Sequence, residues 1–354
     1  MKLSFRWYGP TDSIPLSYIS QIPTMHGVVS AVYDVPPGNV WSRESIASLK
    51  EQANAHGLAF ECVESVPVHE DIKLGKPTRE QYLEAYCENI RRLGEAGVKC
   101  VCYNFMPVFD WLRSDLKHPA PDGSNSLIYR DEQVLAMDPR SGNLSLPGWD
   151  ESYTKDGLNR LLDEYAGMTE EDLFANLKVF LDAVIPVCEE ADVRLAIHPD
   201  DPPWGIFGLP RIITCEENLD RLLKLNPSVY NGLTLCTGSL GASRHNDVVR
   251  LTEKYVSQGR IHFVHARNVR LTGERDFGET AHPTCCGSLD LLGVMKALAK
   301  ADFGGYLRPD HGRMIWGETG KPGYGLYDRA LGATYLSGLW EGITGKSPQL
   351  YANE

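Results

Sequence analysis

Four residues able to hold a metal ion, His198, Cys236, His265 and Asp310, each stand at the end of a different short apolar run. The runs read Arg194-Leu-Ala-Ile-His198, Leu233-Thr-Leu-Cys236, Ile261-His-Phe-Val-His265 and Tyr306-Leu-Arg-Pro-Asp310. Two imidazoles, a thiolate and a carboxylate make a mixed nitrogen, sulfur and oxygen set. Zinc accepts such a set, and so do Fe(II), Mn(II) and Co(II) with water or substrate in the open positions. The thiolate disfavours magnesium and calcium, which prefer all-oxygen shells. Taken singly, each residue has a blander reading. A His in an apolar run is most often a hydrogen-bonded structural group, a Cys in a strand is packing, and an Asp before His-Gly is turn chemistry. The metal reading rests on all four holding equivalent positions on consecutive strands.

The elements that must position them follow from the spacing. Successive ligands are 38, 29 and 45 residues apart, close to the roughly 30 residues of one strand-plus-helix unit in an eight-fold barrel. Such a barrel sets its strand ends in a ring, and active sites form at that C-terminal face. Four earlier strands are predicted over 3–8, 27–33, 58–66 and 99–105. Eight strands alternating with helical patterns predict an α/β fold, a (β/α)8 TIM barrel filling residues 1–354 as one domain.

The intervening helices carry recognisable ends. Ser42 can cap a helix whose inner face is Ile46, Leu49 and Ala53, stopping by Gly57. Thr78, with Gln81 three residues on, has capping-box spacing ahead of the stripe Leu83, Tyr86, Cys87, Ile90 and Leu93, with Gly97 as its stop. Thr169 can open a helix with Leu173, Leu177, Phe180, Leu181 and Val184 on one side, which Pro186 should kink near its end. Between strand four and Thr169 lies a long excursion, 106–168, rich in Pro, Gly, Ser and Asp. Its aromatic residues (Phe109, Trp111, Tyr129, Trp149, Tyr153) favour an ordered insertion over the barrel mouth, acting as a lid or a subunit contact.

Composition narrows the partners. The 354 residues carry 47 acidic against 35 basic side chains, a net charge of -12. That balance argues against nucleic acid or an anionic membrane surface, both of which need a basic face. A small anionic substrate remains compatible, because a metal and a local Arg reverse the field inside a cleft. No apolar run is long enough to span a bilayer and no signal peptide is recognisable. Nine cysteines, several inside apolar strands (Cys62, Cys100, Cys102), suit reduced thiols in a cytoplasm.

Further polar residues belong near the same rim. His311 follows Asp310, Asn104 ends strand four, and Arg267 lies two positions after His265, on the same strand face. The Gly-flanked segment Pro322-Gly-Tyr-Gly-Leu-Tyr327 can bring Tyr324 to the mouth; as a bare motif it is equally a surface turn. Gly323-Tyr-Gly325 is no dinucleotide fingerprint, since no strand precedes it and no third Gly is in place. Cys100-Val-Cys102 lacks the spacer of a zinc or redox pair.

The ordered set of blocks resembles the D-mannonate dehydratases of the xylose-isomerase-like barrel group, nearly end to end. The blocks include Phe5-Arg-Trp-Tyr-Gly9, Glu64-Ser-Val-Pro-Val-His-Glu-Asp71, Val101-Cys-Tyr-Asn-Phe-Met-Pro107, His198-Pro-Asp-Asp-Pro-Pro203, Gly208-Leu-Pro-Arg211, Leu235-Cys-Thr-Gly-Ser239, Arg308-Pro-Asp-His-Gly312 and Pro322-Gly-Tyr-Gly325. The chain departs from the family pattern at His265-Ala-Arg267, where a hydroxyl residue is expected in the middle, and at Cys285-Cys-Gly-Ser-Leu-Asp290.

The resemblance implies a Mn(II)- or Fe(II)-dependent lyase with ligands on His198, Cys236, His265 and Asp310, and with His311 and Tyr324 in substrate recognition and proton transfer. It implies conversion of D-mannonate to 2-dehydro-3-deoxy-D-gluconate plus water in hexuronate (glucuronate) catabolism, in a cytoplasmic homodimer or larger homo-oligomer. In that reaction Arg267 and Asn104 would bind the sugar acid, Arg267 through its carboxylate. A neutral Tyr is a natural acid and a His serves either role. Two alternatives stand beside this reading: a metal-dependent sugar isomerase or epimerase of the same barrel group, and a non-catalytic sugar-acid-binding paralogue.

Overall fold

In the computed structural model, which describes residues 1–141 and 154–352, the chain lays down twelve strands among the described residues. They are β1 (Lys2–Arg6), β2 (Gly27–Ser30), β3 (Ala59–Glu64), β4 (Cys100–Tyr103), β5 (Asp115–Pro119), β6 (Asn125–Tyr129), β7 (Arg194–Ile197), β8 (Asn231–Cys236), β9 (Ile261–Ala266), β10 (Val269–Leu271), β11 (Phe277–Glu279) and β12 (Tyr306–Pro309). Eight of them, β1-β2-β3-β4-β7-β8-β9-β12, pair in parallel and close into a barrel through β1 and β12. The predicted TIM-barrel fold is therefore the observed one. The first four ladders stop short of their predicted C-terminal ends, because the chain there bends away into the loops of the mouth.

Two helix starts form as the sequence predicts. Ser42 accepts a hydrogen bond from the Ser45 amide and opens the helix Arg43–Asn54, burying Ile46, Leu49 and Ala53. Thr169 and Asp172 make a reciprocal capping box at the head of the helix Glu170–Ala191, satisfying two otherwise orphaned amides. Pro186 lies inside that helix, which continues to Ala191. Phe180 on its inner face meets Tyr86, Tyr103 and Phe105 with ring centroids 4.9–5.9 Å apart. Thr78 departs from expectation. It precedes the helix Arg79–Glu95 without capping it, because its hydroxyl donates to Asp71 Oδ2 at 2.5 Å instead. The apolar stripe of that helix is buried as its periodicity requires.

The excursion after β4 contributes β5 and β6, and the connection after β9 contributes β10 and β11. These four short strands join as one antiparallel sheet in the order β10-β11-β6-β5. Periodicity reveals none of these four strands, since β10 and β11 are only three residues each and β5 and β6 only five. A separate apolar cluster underlies the sheet, with Phe109, Leu112, Tyr129, Val269 and Phe277 buried in it. Trp111 is half-buried. Trp149 and Tyr153, counted among the ordering aromatics, lie outside the described residues. Among the described residues, no helix is long and apolar enough to cross a membrane. All nine cysteines are free thiols.

The barrel end opposite the predicted site carries a charge cluster that bears on stability. Glu61 Oε2 accepts from Lys2 Nζ at 2.6 Å, Tyr306 OH at 2.7 Å and His26 Nε2 at 3.2 Å. Burial opposes its ionisation, yet His26, Lys2 and Tyr306 hold the carboxyl down at about 2. A depressed carboxylate stabilises the fold above its unfolded value near 4.5, and that contribution fades as pH falls toward 2. Allowing for partial solvent screening, its worth is about 2 kcal/mol at neutral pH. Glu61→Gln should lower the urea midpoint at pH 7, and the deficit should narrow by about half at pH 3.5. An equal deficit at both pH values would mean that the charge contributes nothing.

Candidate metal centre and proton-transfer pair

Side-chain alternation selects which residues face the barrel axis. The interior layer contains Cys62, Cys100, Ala196, Phe263 and Tyr306. Two residues further along each strand, on the same face and one layer nearer the mouth, stand Glu64, Cys102, His198, His265 and Arg308. On β8, Thr234 reaches into the barrel to Cys102 Sγ at 3.2 Å, and two residues on is Cys236. Ladder register sets His265 directly between Cys236 on β8 and Arg308 on β12.

Three of the four predicted ligands converge tightly: the donor atoms of His198, Cys236 and His265 all lie within 4.8 Å of one another. Asp310 stands beside them, with Oδ2 3.6 Å from Cys236 Sγ. Its oxygens also meet Arg308 Nη1 at 2.7 Å and Arg267 Nε at 2.8 Å. Against the cost of burial, Arg308 and its neighbours hold Asp310 well below the ordinary carboxylate range.

The local chemistry suits a cation. His198 Nδ1 lies 2.7 Å from the Pro199 carbonyl, a contact that places the proton there and leaves Nε2 as the ligating lone pair. His265 is fully buried, and its Nε2 lies 3.1 Å from Glu64 Oε2 without hydrogen-bond geometry, so it has no hydrogen-bond partner. A buried orphan nitrogen of this kind calls for a missing partner. Burial alone would favour the Cys236 thiol, yet Arg267 and His198 pull it well below its usual range and toward thiolate. Ser239 donates to that sulfur from its hydroxyl at 3.0 Å and its amide at 3.4 Å. Burial likewise opposes charge on His198, but Cys236 lifts it to about 9. The donor set and its charge state fit a first-row divalent metal.

His311 and Tyr324 form a second grouping. His311 Nε2 lies 2.9 Å from the Tyr324 hydroxyl. The loops bearing them are tied by the Gly312 amide donating to the Gly323 carbonyl at 2.9 Å. Gly323 holds a left-handed φ of 78°, and a Cβ there would sit 2.6 Å from Leu127 of β6. Glycine therefore permits the turn that presents Tyr324. Burial pushes the Tyr324 phenol well up, with Tyr8 and Asp310 adding to the effect; it is a neutral O–H donor. Trp111, from the excursion, lies over the pair, 4.8 Å from the His311 ring and 6.4 Å from that of Tyr324.

Arg267 is fully buried and held on several sides. Its Nη2 donates to Asp201 at 2.7 Å and Ser239 at 3.0 Å, its Nε meets Asp310, and its Nη1 donates to Glu279 in a very short contact. Gly238 makes room for it, since a Cβ there would lie 2.5 Å from the guanidinium. Asn104 stands at the end of β4, where its Oδ1 accepts from the Met106 amide at 3.3 Å. Sequence reasoning missed Glu64, Arg308, Glu279, Arg113 and Asp201. Strand parity was the available signal for Glu64 and Arg308, two positions past Cys62 and Tyr306. Glu279 and Arg113 had no local signal, being joined at 2.7 Å across 166 residues.

A family model described as D-mannonate dehydratase matches residues 1–349. Mannonate dehydratase 2 of Halalkalibacterium halodurans is 54% identical over 344 residues, covering 97% of this chain and 100% of the relative. The crystal structure of mannonate dehydratase from Streptococcus suis serotype 2 matches with a TM-score of 0.93 at 49% identity, covering 100% of this chain and 99% of that one. A xylose isomerase domain protein from Planctomyces limnophilus shares the fold, with a TM-score of 0.58 and 11% identity over 98% of this chain and 99% of that one.

Proposed function

The chain belongs to the D-mannonate dehydratase family and is a hydro-lyase that dehydrates D-mannonate, and from that premise we propose that it works with a divalent ion, Mn2+ or Fe2+, held by His198, Cys236, His265 and Asp310. The observation that carries this reading is the convergence of three soft and borderline donors beside the His311–Tyr324 pair. When bound, the ion supplies Lewis-acid stabilisation of the negative charge that builds on the substrate's carboxylate end.

The remaining work falls to side chains. The C2–H bond breaks and its electron pair forms the C2=C3 bond, while the C3–O bond breaks and its oxygen leaves as water. The enol then tautomerises to 2-dehydro-3-deoxy-D-gluconate. His311 Nε2 takes the C2 proton and the neutral Tyr324 protonates the departing oxygen. A proton then returns from His311 to the phenolate across their 2.9 Å contact. Protons balance over the cycle, so one pair serves both ends of the elimination. Arg267, its N–H groups taken by Asp201, Glu279, Asp310 and Ser239, holds those groups in place behind the sugar acid, and Asn104, whose Oδ1 accepts from the Met106 amide, donates to a sugar oxygen through its side-chain NH2.

The insertion 106–168 serves as a lid, its described part bringing β5, β6 and Trp111 to the mouth, where Trp111 keeps water from the pair. The setting is hexuronate catabolism in a cytoplasmic homodimer or larger assembly. Exposed Tyr18, Trp316, Tyr327 and Leu331 form an apolar surface that such an assembly would cover.

Chelator-stripped protein, reloaded separately with Mn2+, Fe2+ and Zn2+, should recover mannonate-dependent release of a 2-keto-3-deoxy acid, with Mn2+ or Fe2+ giving the highest turnover. Full turnover in the stripped protein would remove the ion from the reaction. A product that retains the elements of water would overturn the proton assignments.

A further inference from the structure

Glu279 exchanges no proton in that elimination, yet it is the most enclosed carboxylate at the mouth, its side chain wholly buried on β11. Three donors meet on one of its oxygens, Oε1: Arg113 Nη2 at 2.7 Å, Arg267 Nη1 in a shorter contact, and His311 Nδ1 at 3.3 Å. Burial opposes its charge, but Arg267 and Arg113 hold the carboxyl at about 2, so the anion persists throughout the working range. An ionised carboxylate only accepts hydrogen bonds, so its contact with His311 requires the proton on Nδ1. A neutral imidazole so arranged keeps Nε2 as a lone pair, and that atom faces the Tyr324 hydroxyl.

Two carboxylates share the two buried guanidiniums, Asp201 also pairing with both, at 2.8 Å from Arg113 Nη1 and 2.7 Å from Arg267 Nη2. Of the two, Glu279 is the one whose oxygen also reaches the imidazole. We propose that Glu279 is a positioning residue of the dehydration, fixing His311 as its Nδ1–H tautomer with Nε2 open toward Tyr324 and the substrate, and that Arg113, delivered by the segment after β4, keeps Glu279 in place. The inference rests on the assignment of His311 and Tyr324 to proton transfer. In chemical terms, the C2 proton arriving at Nε2 creates an imidazolium directly opposed by the Glu279 anion, which stays ionised while that proton passes on to the Tyr324 phenolate. A buried carboxylate behind the catalytic His does the same in the Ser-His-Asp triad. The cover sheet is then part of the catalytic apparatus, since β11 and the segment beside β5 bring the two residues that orient the base.

Two measurements test this. In 15N spectra of histidine-labelled, Zn2+-substituted enzyme at pH 8, the His311 signal, identified by its loss in His311→Asn, should show a protonated Nδ1 and a bare Nε2. A proton on Nε2 overturns the inference, whatever the variants do. Glu279→Gln should lower kcat about 100- to 1,000-fold while leaving KM within about 3-fold and metal content unchanged, and Glu279→Asp should restore part of the loss. A folded Glu279→Gln enzyme with undiminished kcat also overturns it. Should that variant fail to fold, because two buried arginines lose a counter-charge, the wild-type spectrum decides alone. If Tyr324→Phe and His311→Asn are inactive while Glu279→Gln is not, this inference fails and the proton-transfer assignment stands. If those two variants remain active, the assignment itself fails.

Discussion

Cys236→Ser protein is expected to lose its divalent ion on dialysis against a weak chelator under conditions in which the parent protein keeps it. The sulfur sits at the centre of the donor group, within 4.8 Å of the His198 and His265 nitrogens and 3.6 Å from Asp310. Arg267 and His198, with two hydrogen bonds from Ser239, hold it toward thiolate. A serine hydroxyl in that place stays neutral, so the ion loses a full negative charge from its shell and Arg267 loses a counter-charge. Even changes one layer out from a metal typically weaken binding 10- to 100-fold, so the direct loss should exceed about 100-fold. Turnover should fall in step with occupancy and return partly at high metal concentration. Elemental analysis alongside the activity assay checks this, and a fully occupied, fully active Cys236→Ser enzyme would reduce the cysteine to packing.

Removing one oxygen from Tyr324 should be nearly as damaging by a different route. Tyr324→Phe keeps the ring that meets Tyr8 edge-on at 5.2 Å and lies beneath Trp111, so the pocket wall and the metal ligands are undisturbed. What disappears is the proton for the departing C3 oxygen and the relay to His311. General-acid contributions of this kind are worth about 10²–10⁴-fold, so kcat should fall by roughly 1,000-fold with metal content and KM close to the parent's. Exchange of the substrate C2 hydrogen with solvent would persist more than dehydration does, because His311 retains access to that proton. Unchanged turnover would remove Tyr324 from the chemistry.

The two variants separate the parts of the site that the sequence reveals unequally. The candidate ligand positions were legible because a parallel barrel puts every strand end at one rim. Thus the apolar runs before His198, Cys236, His265 and Asp310 were enough to mark both the strands and their terminal residues. The Ser42 and Thr169 helix starts were legible for an equally local reason, since a hydroxyl three residues before an amide can satisfy it. Thr78 shows the limit of that reasoning. Its spacing is as good as that of Thr169, but Asp71, brought near by the preceding turn, takes its hydroxyl.

What the sequence by itself determined, then, is the alternation of strands and helices, the strand-end position of each candidate ligand, and the acidic character of the whole chain. Only the closed barrel decided which inward residues meet. Glu64 faces His265 and Arg308 because β3 and β12 lie around one ring, 244 residues apart in the chain. Glu279 comes to His311 because two short hairpins from distant loops pair into one sheet over the mouth. Strand parity is a property of adjacent residues and is written in the order of the chain. The ionic order around Arg267, Arg113, Asp201 and Glu279 exists only once distant segments exclude water from the same small volume, where each charge depends on partners that no local pattern names.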